Sequence, residues 1–131
     1  MREIKFRAWV PNLASDKKMI YGKAIAVDGS GKAFWVGHDN YPLGDSDVLM
    51  QFTGLKDKNG KEIFEGDIVH NTHGGPYAFR DMIVCWHQYH MGFALATKPE
   101  NIGDWAIKME NGPQGYEIIG NIYEHPELVK S

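Results

Sequence analysis

The chain has a single cysteine, Cys85, in 131 residues. That excludes an intramolecular disulfide framework and fits a reducing compartment, so the cytoplasm is the expected place. It has no apolar run long enough to cross a bilayer, and charge enters early at Arg2 and Glu3. Neither a membrane span nor a secretory leader is therefore expected. Basic residues are not in excess: 14 Lys and Arg face 17 Asp and Glu, a formal net charge of −3. Blanket attraction to nucleic acid or to an anionic membrane is excluded on that balance, although a local basic patch is not. No stretch sustains a helical period, and there is no internal repeat or low-complexity tract. What the chain does have is 15 glycines and 12% aromatics within 43% hydrophobic residues, the make-up of a turn-rich β protein with a real core.

The clearest pattern lies in Met50 to Val69, MQFTGLKDKNGKEIFEGDIV. If Asn59-Gly60 formed a two-residue loop, Lys58 would face Lys61 and Asp57 would face Glu62, which sets like charges opposite one another. A three-residue loop Lys58-Asn59-Gly60, with Gly60 left-handed, instead sets Asp57 against Lys61, Lys56 against Glu62 and Leu55 against Ile63. The charges select this second register. Glu65-Gly66-Asp67 then reads as a tight turn in which Gly66 takes positive φ and the Asp67 carboxylate binds nearby backbone N–H groups. Asn59, Gly60, Gly66 and Asp67 are thus read as structural turn residues, and no residue is read as catalytic.

Elsewhere Ile4, Phe6 and Ala8 alternate with Lys5, Arg7 and Trp9, the period of a half-buried strand. Ala24 to Val27 and Ala33 to Val36 read as a hairpin around Asp28-Gly29-Ser30-Gly31. Gly37 to Asp47 reads as loop. Asp67 to Asn71, Met82 to Trp86, Gly92 to Thr97, Trp105 to Met109 and Tyr116 to Tyr123 read as further strands, with Met82 to Trp86 apolar enough to be covered on both faces. Pro126 opens one closing helical turn. The fold class expected is mainly β with little helix: a small Src-homology-3-like barrel in residues 67–131, and additional hairpins from residues 1–66 that include a projecting hairpin over 50–66. The two parts are expected to fold as one unit. Because bare hairpin edges invite pairing with another chain, the arm, or the hairpin ahead of it, is expected to pack on a neighbouring subunit.

Candidate chemistry is sparse. His70-x-x-His73 and Cys85-x-His87-x-x-His90 carry the residue types and short spacings from which a tetrahedral zinc site is built. The competing reading buries Cys85 in the core and leaves the histidines in solvated loops. A cysteine inside an apolar strand is a poor nucleophile, and Gly31-Lys32 fails as a phosphate loop because Ala33 and Ala26 replace the required hydroxyl and first glycine. Asp39, Asp45 and Asp47 lack the spacing of a calcium loop. Lys5, Arg7, Trp9, Lys17 and Lys18 form a candidate basic and aromatic face for nucleic acid. The tip residues Lys56, Lys58 and Lys61 are interleaved with Asp57 and Glu62 and read as a solvated, salt-bridged turn. No cofactor motif is present, so none is expected.

The central stretch, FRAW at Phe6 to Trp9, KKMIY at Lys17 to Tyr21, Trp86 followed by Gly92-Phe93, and YEIIGNIYEHPELV at Tyr116 to Val129 together resemble the YopX family. That resemblance spans most of the chain. It implies a protein encoded by a phage or prophage, acting in the cytoplasm of the bacterium that carries it, with a fold but no assigned activity and no metal motif. The chain departs from the pattern at Val10-Pro11, where an Asp usually follows the Trp, and at His87, where an acidic residue often follows Trp86. The function expected is a non-enzymatic, homo-oligomeric binding or regulatory accessory module whose partners are further copies of itself or a host or phage protein. The alternatives are a nucleic-acid-binding small barrel and a zinc-binding or metal-dependent protein.

Overall fold

The computed structural model describes residues 3–11, 18–21, 25–36, 42–72, 79–87, 91–101, 107–109 and 115–129. The chain is mainly β, with curled antiparallel sheets of half-barrel form and, among the described residues, short 3-10 turns at Pro99–Asn101 and Pro126–Val129. Among the described residues no helix is long and apolar enough to cross a membrane. Two compact units divide the chain, Met1–Gln51 and Phe52–Ser131.

In the first unit, β1 (Phe6–Val10) pairs antiparallel with β2 (Lys18–Tyr21) on one side and with the start of β5 (Val48–Lys56) on the other. Arg7, Ala8, Trp9 and Val10 are all buried, so the expected alternation of inner and outer residues does not hold. β3 (Ile25–Val27) and β4 (Ala33–Trp35) form the expected hairpin. Its turn is closed by Asp28, whose Oδ1 accepts from the Ser30 N–H and hydroxyl and from the Lys32 N–H.

The second unit continues from β5 through β6 (Glu62–Phe64), β7 (Asp67–Asn71), β8 (Asp81–His87), β9 (Gly92–Ala96), β10 (Ile107–Lys108) and β11 (Tyr116–Asn121). Its sheet runs β10-β9-β8-β7-β11. β8 feeds two apolar clusters by simple alternation. Met82 and Val84 join Ile63, Val69, Leu95, Met109 and Tyr116, while Ile83 and Cys85 join Ala94 and Ala96. Both faces of β8 are therefore covered from Met82 to Cys85, as the composition implies, but the cover does not reach Trp86, which is exposed. Each fully buried Ile, Val or Met contributes about 1.5–3 kcal/mol.

The hairpin does not project. Ile63 is fully buried in the first cluster, the Lys58 N–H donates to the Tyr116 carbonyl at 2.9 Å, and the Ile118 N–H donates to Asp57 Oδ2 at 3.1 Å. The tip thus lies along β11 and occupies an edge that would otherwise offer bare backbone groups. The second compact unit begins at Phe52, within β5. The tip register is Lys56 against Glu62, with the Asp57 N–H bonded to the Lys61 carbonyl and Gly60 at φ 83°. Below it the ladder slips. Phe52 faces Phe64, so Thr53, Gly54 and Leu55 share the single residue Ile63, and Leu55 does not face it alone. This bulge is held by Gly54 at φ 89° and by Thr53 Oγ1, which donates to the Ile63 carbonyl and accepts the Leu55 N–H.

Candidate functional site

Asp57 sits at the base of the Lys58-Asn59-Gly60 loop and is only 2% exposed. Its Oδ1 accepts the N–H groups of Asn59 at 2.8 Å and Lys61 at 2.9 Å, while Oδ2 accepts that of Ile118. Burial pushes its pKa up, but the three backbone donors and the nearby Lys61 charge outweigh burial and hold the carboxyl below its ordinary value. Asp57 is therefore an internal clamp and not half of a solvated ion pair with Lys61. Lys58 finds a partner in Glu117, 3.6 Å away on β11. Asp67 is buried too, and its Oδ2 accepts the Phe64 N–H at 2.8 Å across the Glu65-Gly66 turn. Gly66, at φ 86°, donates to the Val84 carbonyl and accepts from the Ile122 N–H, tying the turn to β8 and to the chain beyond β11.

Among the described residues, the metal candidates are not gathered into one group. His70 on β7 faces Asp81 on β8, and His70 Nδ1 lies 2.9 Å from Asp81 Oδ1. Cys85 is four residues further along β8, about 13 Å at 3.3 Å per residue, too far to share an ion with His70. It is buried among Ile83, Ala94 and Ala96. His87 lies on the same side of β8 as Cys85 and is buried there rather than solvated. His73 and His90 lie outside the described residues, and among the described residues no three His, Cys, Asp or Glu side chains are grouped to hold a metal.

Of the candidate basic and aromatic face, Arg7 and Trp9 are buried. Arg7 is 2% exposed, donates from Nη1 to the Tyr21 hydroxyl at 3.4 Å and lies 5.8 Å from that ring's centre. Trp9 is buried beside it on β1, so it offers no stacking platform. Lys5 pairs with Glu3 at 3.1 Å, and Lys18 opens the exposed end of β2. Lys17 lies outside the described residues.

What sequence reading missed is at the β8–β9 end. Trp86 is 48% exposed and meets its cross-strand partner Phe93 edge to face, with ring centroids 5.3 Å apart. Met91, which precedes β9, is 83% exposed and held at φ 50°, a backbone conformation that costs a non-glycine residue about 1–3 kcal/mol. A signal was present: Trp86 continues the Met82, Val84 face to the very end of a strand, where cover runs out. The apolar make-up of the run masked it.

These observations define the class: a small all-β protein whose buried carboxylates clamp turns and whose conspicuous exposed groups are aromatic and apolar. Within that class, the chain belongs to the YopX family, whose model, described as YopX protein, matches residues 5–130. It is similar to the crystal structure of protein EF1440 from Enterococcus faecalis, at 28% identity and a TM-score of 0.58 over 99% of this chain and 100% of that one. It is also similar in fold to the X-ray structure of protein yopX from Bacillus subtilis, at 18% identity, the same TM-score and the same coverage. No curated protein matches the chain.

Proposed function

We propose that this protein works by binding, as a homo-oligomeric accessory or regulatory module of phage origin in the bacterial cytoplasm, and that a second copy of the chain is the partner met by Trp86, Phe93 and Met91. The observation that carries the reading is the half-exposed Trp86 packed on the partly buried Phe93, with the exposed Met91 two residues before Phe93 in the chain. Half-exposed aromatics and Met are the residue types that anchor protein interfaces, since they bury large apolar area at little cost in side-chain entropy. The carboxylates Asp57 and Asp67 support the same reading, because both are committed to backbone donors.

Sedimentation velocity on the full chain at micromolar concentration tests it. Wild type is expected to sediment as an oligomer, and Trp86→Glu as a monomer with unchanged circular dichroism. A monomeric wild type removes the self-association reading. An oligomer indifferent to Trp86→Glu removes this surface from it.

A further inference from the structure

After β11 the chain reverses on itself through Asn121. The Asn121 Oδ1 accepts the N–H groups of Tyr123 at 3.1 Å and Glu124 at 2.8 Å, and its Nδ2 donates to Glu124 Oε1 at 2.7 Å. Its carbonyl accepts the His125 N–H at 2.8 Å, and its own N–H points to His125 Nδ1 at 3.4 Å. The His125 carbonyl in turn accepts the Leu128 N–H. The returning imidazole fits only because residue 120 is glycine: a Cβ there would lie 2.8 Å from His125 Nδ1 and 3.1 Å from Leu128 Cδ1.

This folded-back segment lays Ile122 and Val129 on the cluster of Ile83, Cys85, Ala94 and Ala96, where two alanines leave room for it. The two layers are unequal. The strip beneath is at most 4% exposed, whereas no residue of the Pro126–Val129 turn is itself buried. Ile122 is anchored to the Gly66 carbonyl. Beyond that anchor, Glu124, His125 and Leu128 are bonded a few residues away, to Asn121 at the end of β11 or within the segment, so it can open at the cost of those local bonds without breaking a rung of the β7–β11 ladder.

We propose that Ile122–Val129 is a latch that opens on its own while the sheet stays folded, uncovering the strip around Cys85. Segments with few buried contacts and local hydrogen bonds occupy the low end of a protein's opening free energies. The latch is a conformational device of the fold and does not depend on what Trp86 meets.

The single cysteine makes the test unambiguous. Cys85 of the full chain is labelled with an aromatic disulfide reagent in urea concentrations below the unfolding transition. The expected rate depends weakly on urea and exceeds by at least about tenfold the rate calculated from global unfolding. Gly120→Ala, which drives His125 out, is expected to raise that rate about tenfold further. Val84→Ala, in the other cluster, is expected to lower the unfolding midpoint and leave the weakly urea-dependent rate unchanged. Labelling that follows global unfolding with its full urea slope in wild type would overturn the latch. So would equal acceleration by Gly120→Ala and Val84→Ala. Should Gly120→Ala not fold, the wild-type urea slope decides alone.

Discussion

Asp57 shows how one carboxylate can replace several side-chain contacts. Three backbone N–H groups, two from its own loop and one from a strand 61 residues further on, converge on it. Asparagine at this position would turn an NH2 group toward one of these donors and remove the charge that strengthens the bonds, so Asp57→Asn should cost on the order of 2–3 kcal/mol. The pH dependence has a definite sign. A carboxyl held below its unfolded value of about 3.9 contributes stability that is present above that value and is lost as pH falls through the lower folded value. Urea midpoints should therefore separate wild type from Asp57→Asn near neutrality and converge below about pH 4. A constant gap across that range would mean that the charge of Asp57 adds nothing.

At the scale of elements, the β5–β6 hairpin marks where sequence reading succeeds and where it stops. Opposed charges around Asn59-Gly60 were enough to choose the tip register, because cross-strand pairs a few residues apart are a local matter. The bulge was not read, although Gly54 in the middle of an apolar strand is its usual signature. Nor was the docking of the tip on β11, since no local pattern announces a partner so distant in the chain. The same distinction separates the candidate residues: the left-handed turn conformations of Gly60 and Gly66 are local matters, whereas the burial of Arg7, Trp9 and His87 depends on distant parts of the chain that cover them. The bulge gives a clean test. Nothing lies within 4 Å of a Cβ built on Gly54, so Gly54→Ala meets no clash and suffers only its φ of 89°. A loss of about 1–2 kcal/mol in urea unfolding is expected. A neutral substitution would show that the bulge relaxes at no cost.

For the whole molecule, charge and apolar surface make opposite claims about how partners are held. With a net charge of −3 and a sequence pI near 6.0, long-range attraction to polyanions has little to work with. Surface pairs such as Lys5–Glu3 and Lys58–Glu117 are half-exposed and contribute little either way. Contacts made through Trp86, Phe93 and Met91 would instead gain from burial of apolar area, a term that salt does not screen. Raising NaCl from about 0.05 to about 0.5 M should then leave the oligomer intact or tighten it, whereas an assembly bridged by nucleic acid would weaken steeply over that range. Sedimentation of nuclease-treated protein at the two salt concentrations separates these cases. Dissociation at high salt would move the interface from the Trp86 surface to charged residues such as Lys18 and Arg80.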